Sequence, residues 1–156
     1  MTMKMQLGRL LVRFFQTWGV KGKFDRRRVV VEFDNAPHPR PTPLRGQVAV
    51  YLFFKGDAWL KVGKATYPAR FTSQHYGTNR SGSSIAKDIW SCREEFGFQG
   101  EEAAIDVWLC ENLGRANIRA PEEYGDRFVK YLEAFLHFHL QPRFEGRRPR
   151  AENAQD

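Results

Sequence analysis

Cysteine is scarce in this chain, and its scarcity argues against two classes of small protein. The 156 residues contain only two cysteines, Cys92 and Cys110, too few for the disulfide framework of a small secreted domain. Together with scattered histidines, they also cannot form a zinc cluster at these spacings. We therefore expect both cysteines to be reduced, as in a cytoplasmic protein.

Long hydrophobic runs are missing as well. The longest, such as Val48 to Phe54, fall far short of the roughly 20 apolar residues that a membrane-spanning helix needs. The sequence therefore predicts no membrane partner. Its 42% hydrophobic and 14% aromatic content is typical of a folded domain with a sizeable core.

Acidic residues are almost absent from the first 28 positions, which hold eight Lys or Arg and one acid, Asp25. From Val29 onward there are seventeen of each sign, so the whole net charge of +7 comes from the N-terminal segment. Clustered cations gain affinity for a polyanion by releasing its counterions. The run Arg26, Arg27 and Arg28 either contacts phosphates or is a solvated charge run, and the sequence leaves both interpretations open.

The same segment has apolar residues at helical spacing, which predicts an amphipathic helix ending near Gly19. These residues are Leu7, Leu10, Leu11, Phe14, Phe15 and Trp18. The helix could dock on the core, touch DNA with its basic side, or serve as an organellar presequence.

A strand over Val29 to Phe33 and a proline-rich connector over 35–43 follow this helix. We therefore divide the chain into an extension (1–45), a main domain (46–148) and a polar tail (149–156). Whether the extension is a separate subdomain or adds a helix and strand to the same sheet stays open.

The main domain is organised around the segment from Gln47 to Tyr76. An apolar run over 48–54, a Lys-Gly-Asp turn and a short strand over 59–62 predict an antiparallel hairpin closed by Gly63. Pro68 then suits the first turn of a helix. This layout places a phenol, two amines, a guanidinium and an imidazole on neighbouring elements: Tyr51, Lys61, Lys64, Arg70 and His75.

The second half of the chain supplies a polar loop, a third strand and two helices. In the loop over 77–84, Arg80 is a candidate phosphate contact. A helix over 85–96, a third strand over 105–110 and a last helix opened by Pro121 follow. The predicted fold is therefore a small α/β (α+β) domain whose three-stranded, mainly antiparallel sheet is flanked by helices. The last helix carries Glu133, and Arg143 and Arg147 follow it as further candidate nucleic-acid contacts.

Several of these motifs together resemble the GIY-YIG nuclease superfamily. Ala49-Val50-Tyr51 corresponds to its first tripeptide, Lys61-Val62-Gly63 to its second, and Arg70 to the helix arginine that follows. The segment 131–147 resembles the helix with a metal-binding glutamate, which places Glu133 at that position. Three residues depart from the pattern, with Ala49 for Gly, Lys61 for Tyr and Glu145 for Asn. The Lys-Val-Gly tripeptide is similar to a divergent branch common in phage and mobile-element proteins.

The resemblance implies an Mg²⁺- or Mn²⁺-dependent endonuclease that hydrolyses DNA. Glu133 would hold the metal, Arg70 and Lys64 would bind the phosphate, and Tyr51 would position or deprotonate water. Lys61 would act either as the base or as a phosphate ligand, and His75 is an alternative base. The main alternative is a nucleic-acid-binding or regulatory module that keeps the fold without the chemistry. A third alternative is a basic protein-interaction domain. A cutter of both strands with one site per chain would need a homodimer or sequential nicking.

Overall fold

Among the described residues, the sheet has four antiparallel strands in the order β1-β4-β2-β3. The computed structural model describes residues 1–79 and 84–144. Its strands are β1 (Val30–Asp34), β2 (Gln47–Lys55), β3 (Ala58–Ala65) and β4 (Gly114–Pro121). The mixed α and β class with an antiparallel sheet and flanking helices is confirmed, but the sheet has four strands instead of three.

Within the described residues, five helices lie around this sheet. They are α1 (Met3–Phe14), α2 (Pro68–Thr72), α3 (Ile85–Ser91), α4 (Ile105–Asn112) and α5 (Gly125–Leu140). A π-turn (Phe15–Gly19) and a further turn (Val20–Gly22) extend α1, so the helix continues past the stop predicted at Gly19. Single 3-10 turns lie at Arg26–Arg28, Gln74–Tyr76, Glu102–Ala104 and Glu122–Tyr124.

The strand predicted over 105–110 is wrong, because this segment is helical. Ile105 and Leu109 are buried while Val107 between them is 56% exposed, which is the four-residue periodicity of a helix rather than the alternation of a strand. The missing strand is β4, which begins at Gly114. Its apolar residues face one side of the sheet, and its polar residues Arg115, Asn117 and Arg119 face the other.

Two helix boundaries also differ from the prediction. Pro121 is the last residue of β4, and a 3-10 turn separates it from α5, which begins at Gly125. The helix predicted over 85–96 ends at Ser91. The hairpin is confirmed, with Gly56 at φ +59° in its turn, but β3 continues past Gly63 to Ala65.

The N-terminal elements belong to the same sheet as the rest of the chain. Five residues of β1 pair with β4, from Val30 opposite Arg119 to Asp34 opposite Arg115. Helix α1 packs on α5, with the Phe14 ring centroid 6.0 Å from that of Phe128. The N-terminal segment therefore adds a helix and a strand to the same sheet and core, and it is not a separate subdomain.

Each face of the sheet carries its own hydrophobic core. Helices α1 and α5 cover the face that presents Val50, Leu52 and Ile118. Helices α2, α3 and α4 cover the face that presents Tyr51 and Phe53. Within the described residues, no helix is long and apolar enough to cross a membrane.

Candidate functional site

Tyr51 and Gly63 form the centre of the candidate site, because they lie opposite each other on β2 and β3. A Cβ at Gly63 would lie 2.1 Å from the Tyr51 hydroxyl oxygen and 2.3 Å from the ring carbon that bears it. The tyrosine ring therefore passes over the glycine and reaches β3, the edge strand. Any side chain at position 63 would displace it.

Arg70 reaches this point from α2. Pro68 occupies the first turn of the helix, and the fixed φ of proline suits that position. Two residues later in the chain, Arg70 Nε donates a hydrogen bond to the Lys64 carbonyl oxygen at 3.0 Å. The guanidinium is thus fixed beside the edge strand and the Tyr51 phenol.

The Tyr51 phenol is protonated in this environment. Burial raises the pKa of Tyr51 well above its ordinary value, and the nearby Arg70 and Arg115 guanidiniums only partly oppose this effect. The negative charge of Glu133 raises the pKa further. Tyr51 is therefore suited to donate a hydrogen bond and poorly suited to act as a base at neutral pH.

Glu133 approaches the same strand from α5, on the opposite face of the sheet from α2. Its Oε2 lies 3.1 Å from Lys64 Nζ, and the two side chains are 23% and 34% exposed. One turn further along α5, His137 Nε2 lies 3.0 Å from the Val62 carbonyl oxygen. Side chains from both helical layers thus meet at the edge of β3.

Lys61 lies on the other side of β3 from Lys64. It stands opposite Phe53, is 4% exposed, and forms an ion pair with Asp88 of α3. Asp88 is 27 residues away in the chain, and no local motif links the two positions. Sequence reasoning therefore missed this partner.

His75 is buried against the Tyr51 ring, with 4.1 Å between the ring centroids. Within the described part of the chain, neither ring nitrogen has a hydrogen-bond partner. Burial lowers the pKa of His75 to about 2, and the cations Arg115, Arg70 and Lys61 add to this shift. The imidazole is therefore neutral at any ordinary pH.

Arg115 of β4 holds α2 in place beside the site, and sequence reasoning did not identify this residue. The side chain is 1% exposed and donates to Tyr76 Oη at 2.8 Å, to the Phe71 carbonyl oxygen at 2.9 Å and to Asn117 Oδ1 at 2.8 Å. Because Phe71 follows Arg70 on α2, this bond anchors the helix that carries the site arginine. The alternation of polar and apolar residues over 114–121 is the sequence signal that could have identified this strand and its arginine.

The arginines that the sequence assigned to DNA have intramolecular partners where the structure describes them. Arg27 pairs with Asp25, Arg28 with Glu123, and Arg143 with Glu95. Arg26 donates to the Val29 carbonyl oxygen. The candidates Arg80 and Arg147 lie outside the described residues, as does Glu145.

Glu133 is the carboxylate that could hold a metal at this site. Within residues 1–79 and 84–144, no group of three or more His, Cys, Asp or Glu side chains could bind a metal ion. Mg²⁺ nevertheless often binds through one or two carboxylates together with water and substrate phosphates. The Glu133 carboxylate therefore fits an ion that binds together with a phosphate, once Lys64 releases the carboxylate.

Comparison of the chain with models of protein families, with curated proteins and with solved structures finds no match. The resemblance to the GIY-YIG superfamily therefore depends on the two tripeptides, Arg70 and the segment around Glu133.

Proposed function

We propose that this protein is a metal-dependent endonuclease that hydrolyses DNA phosphodiester bonds. The observation that supports the proposal is that Tyr51, Arg70 and Glu133 all approach β3, where Arg70 binds the Lys64 carbonyl oxygen and Glu133 pairs with the Lys64 ammonium. These three residues come from a strand and two helices, on both sides of the sheet. A phosphodiester needs a cationic clamp, a metal ligand and a hydrogen-bond donor, and this group supplies each of them.

Arg70 binds the non-bridging phosphate oxygens in this proposal. A planar guanidinium presents several donors in a fixed geometry, which suits a phosphate better than an ammonium does. The bond from Nε to the Lys64 carbonyl oxygen fixes the side chain before substrate arrives. In this proposal the Lys64 ammonium group leaves Glu133 and binds the phosphate as a second cation.

Glu133 would hold Mg²⁺ or Mn²⁺, and the bound metal would polarise the phosphate and stabilise the leaving oxygen. Tyr51 donates its hydroxyl proton in a hydrogen bond that orients the attacking water or a phosphate oxygen. His75 contributes packing against Tyr51 in this geometry, because its ring nitrogens are buried. Lys61 acts as a cation held by Asp88 on the face that carries Tyr51.

A second candidate is a nucleic-acid-binding module without catalytic activity. The observation that favours it is that two site lysines are neutralised by carboxylates, Lys61 by Asp88 and Lys64 by Glu133. In such a module these ion pairs are permanent parts of the structure. DNA would then bind without being cut.

Nicking of supercoiled plasmid with Mg²⁺ or Mn²⁺ tests the proposal, using the wild type and Glu133→Gln. We expect the wild type to nick and Glu133→Gln to be slower by at least about 100-fold, because metal stabilisation of a developing charge contributes several kcal/mol. The matched control is Glu123→Gln, which changes an exposed glutamate paired with Arg28 and should cut like the wild type.

Two results would contradict the proposal. Equal activity of Glu133→Gln and the wild type would show that Glu133 is not a metal ligand in the reaction. A folded wild type that binds DNA in a salt-sensitive way and cuts nothing with either metal would establish the binding module instead.

A further inference from the structure

The outward side of the N-terminal helical segment carries cations without a carboxylate partner in the described chain. Five basic residues of segment 3–23 are exposed, and the segment contains no acid. None of the five forms an ion pair with any residue that the structure describes. They are Lys4, Arg9, Arg13, Lys21 and Lys23.

Most exposed cations elsewhere in the described chain behave differently. Five of them are held by a carboxylate: Arg27, Arg28, Arg40, Lys130 and Arg143. Arg93 and Arg127 instead lie over aromatic rings, at 4.5 Å from the Trp90 centroid and 5.6 Å from the Phe24 centroid. Exposed cations without a carboxylate partner are therefore grouped most densely on α1 and the turns that extend it, since elsewhere in the described chain they are the scattered residues Arg26, Arg45, Arg93 and Arg127.

We propose that this basic side of α1, and not the run Arg26–Arg28, contacts the phosphate backbone of duplex DNA. The inference rests on the proposed nuclease function for the choice of DNA as the polyanion. Cations already paired with carboxylates must break those pairs to contact a phosphate. Unpaired ones gain the full counterion release of the DNA.

The position of α1 is compatible with this role. Helices α1 and α5 cover the same face of the sheet and touch through Phe14 and Phe135, whose ring centroids are 5.5 Å apart. Helices in contact lie about 8–10 Å apart from axis to axis, and α5 carries Glu133. Helix α5 therefore lies between α1 and the edge of β3, and a duplex that contacts α1 would cross α5 to bring a phosphate to that edge.

The composition of this side also favours a phosphate backbone over a membrane surface. A helix that lies in a membrane buries its apolar face in the lipid, but the apolar face of α1 is already buried in the core by Leu7, Leu11 and Phe14. Arg9, Arg13 and Gln16 lie on the exposed side. Side chains of these types donate hydrogen bonds to phosphate oxygens.

The test is the binding of a fluorescent duplex of about 25 base pairs in EDTA, where cleavage cannot contribute, over a series of salt concentrations. The variant is Lys4→Gln/Arg9→Gln/Arg13→Gln, and the matched control, Arg27→Gln/Arg28→Gln/Arg143→Gln, removes the same number of charges. We expect the α1 variant to reduce the slope of log affinity against log salt by about 0.9 for each phosphate that it no longer neutralises. Its affinity at about 0.1 M salt should fall by at least about tenfold, and that of the control by less than about threefold.

A charge-retaining variant, Arg9→Lys/Arg13→Lys, should bind like the wild type, which separates removal of charge from damage to the helix. An equal fall in affinity for the two triple variants, or a larger fall for the control, would overturn the inference. So would a wild type that binds phosphatidylserine vesicles and not the duplex. Plasmid nicking that depends on Glu133 would still uphold the nuclease function after any of these results.

Discussion

At Gly63 the edge strand has no side chain, and the Tyr51 ring occupies the space that a Cβ would take. The hydroxyl oxygen would lie 2.1 Å from that Cβ, closer than any non-bonded contact permits. The absence of a side chain at this position of β3 is thus what allows the phenol from β2 to reach the edge strand and the Arg70 guanidinium.

Gly63→Ala should therefore destabilise the protein by about 1–3 kcal/mol, the usual effect of overpacking a dense core. The matched control is Gly8→Ala on α1, where a Cβ meets nothing within 4 Å. It should raise the free energy of unfolding by about 0.5–1 kcal/mol, because alanine favours a helix over glycine. Urea denaturation measures both changes. A Gly63→Ala protein as stable as the wild type would contradict the close contact with Tyr51.

The buried His75 imidazole makes stability depend on pH. The pKa of His75 is about 2 in the folded protein, compared with 6.5 for a free histidine. Between these values the unfolded chain binds a proton that the folded chain does not. The free energy of unfolding therefore falls as the pH falls below 6.5, by about 1.4 kcal/mol per pH unit from this residue.

His75→Phe should remove that contribution while leaving no hydrogen bond unmade within the described chain. We expect the difference in unfolding free energy between variant and wild type to be constant from about pH 7 to 8. Below about pH 6 it should shift in favour of the variant by about 1.4 kcal/mol per unit. Urea titrations at about pH 4.5, 5.5 and 7.5 measure it. Parallel pH profiles would show that His75 is protonated in the folded protein.

At the scale of secondary-structure elements, the N-terminal helix and strand complete the core. The side chains that α1 buries are Leu7, Leu10, Leu11 and Phe14. Fully burying a large apolar side chain contributes about 1.5–3 kcal/mol, so this group alone is comparable to the whole stability of a typical domain. Strand β1 also supplies one of the two hydrogen-bonded neighbours of β4.

A chain that begins at residue 46 should therefore lose cooperative unfolding and near-ultraviolet circular dichroism. The control is Arg9→Ala in the full chain, which changes an exposed side chain and should alter the unfolding free energy by less than about 0.5 kcal/mol. A shortened chain that unfolds cooperatively, with the same midpoint as the full chain, would show that segment 1–45 is a separable extension.

At the scale of the whole molecule, the candidate site lies where the two helical layers meet at one edge of the sheet. Arg70 comes from the layer of α2, α3 and α4, and Glu133 from the layer of α1 and α5. The carbonyl groups of β3 at Trp59 and Leu60 accept hydrogen bonds from the Arg143 and Phe144 amides. These contacts cover part of the edge, which limits pairing with other chains.

The fold also determines which basic residues are paired with a carboxylate and which are not. Although the Arg26–Arg28 run is the densest basic segment among the described residues, two of its members are neutralised by Asp25 and Glu123. Sequence counting cannot detect the second pair, because Glu123 is nearly a hundred residues away from Arg28. The more dispersed cations of α1 remain unpaired among the described residues.

Local sequence signals were sufficient to predict several helices and strands. Periodic apolar residues identified α1, the Lys-Gly-Asp turn identified the β2–β3 hairpin, and Pro68 identified the start of α2. The sequence-based prediction failed at β4. The segment from Ile105 to Cys110 is more apolar than segment 114–121 and was therefore predicted as the strand. Burial by the tertiary structure, rather than hydrophobicity alone, separated the helix from the strand.

Which side chains come into contact depends on the tertiary structure. The ion pairs of Lys61 with Asp88 and Lys64 with Glu133, and the anchoring of α2 by Arg115, join residues 27 to 69 positions apart. The motif pattern named Tyr51, Arg70 and Glu133, but no local rule specifies their distances. Those distances depend on strand register and on the packing of helices across the sheet, and both are set by the whole chain.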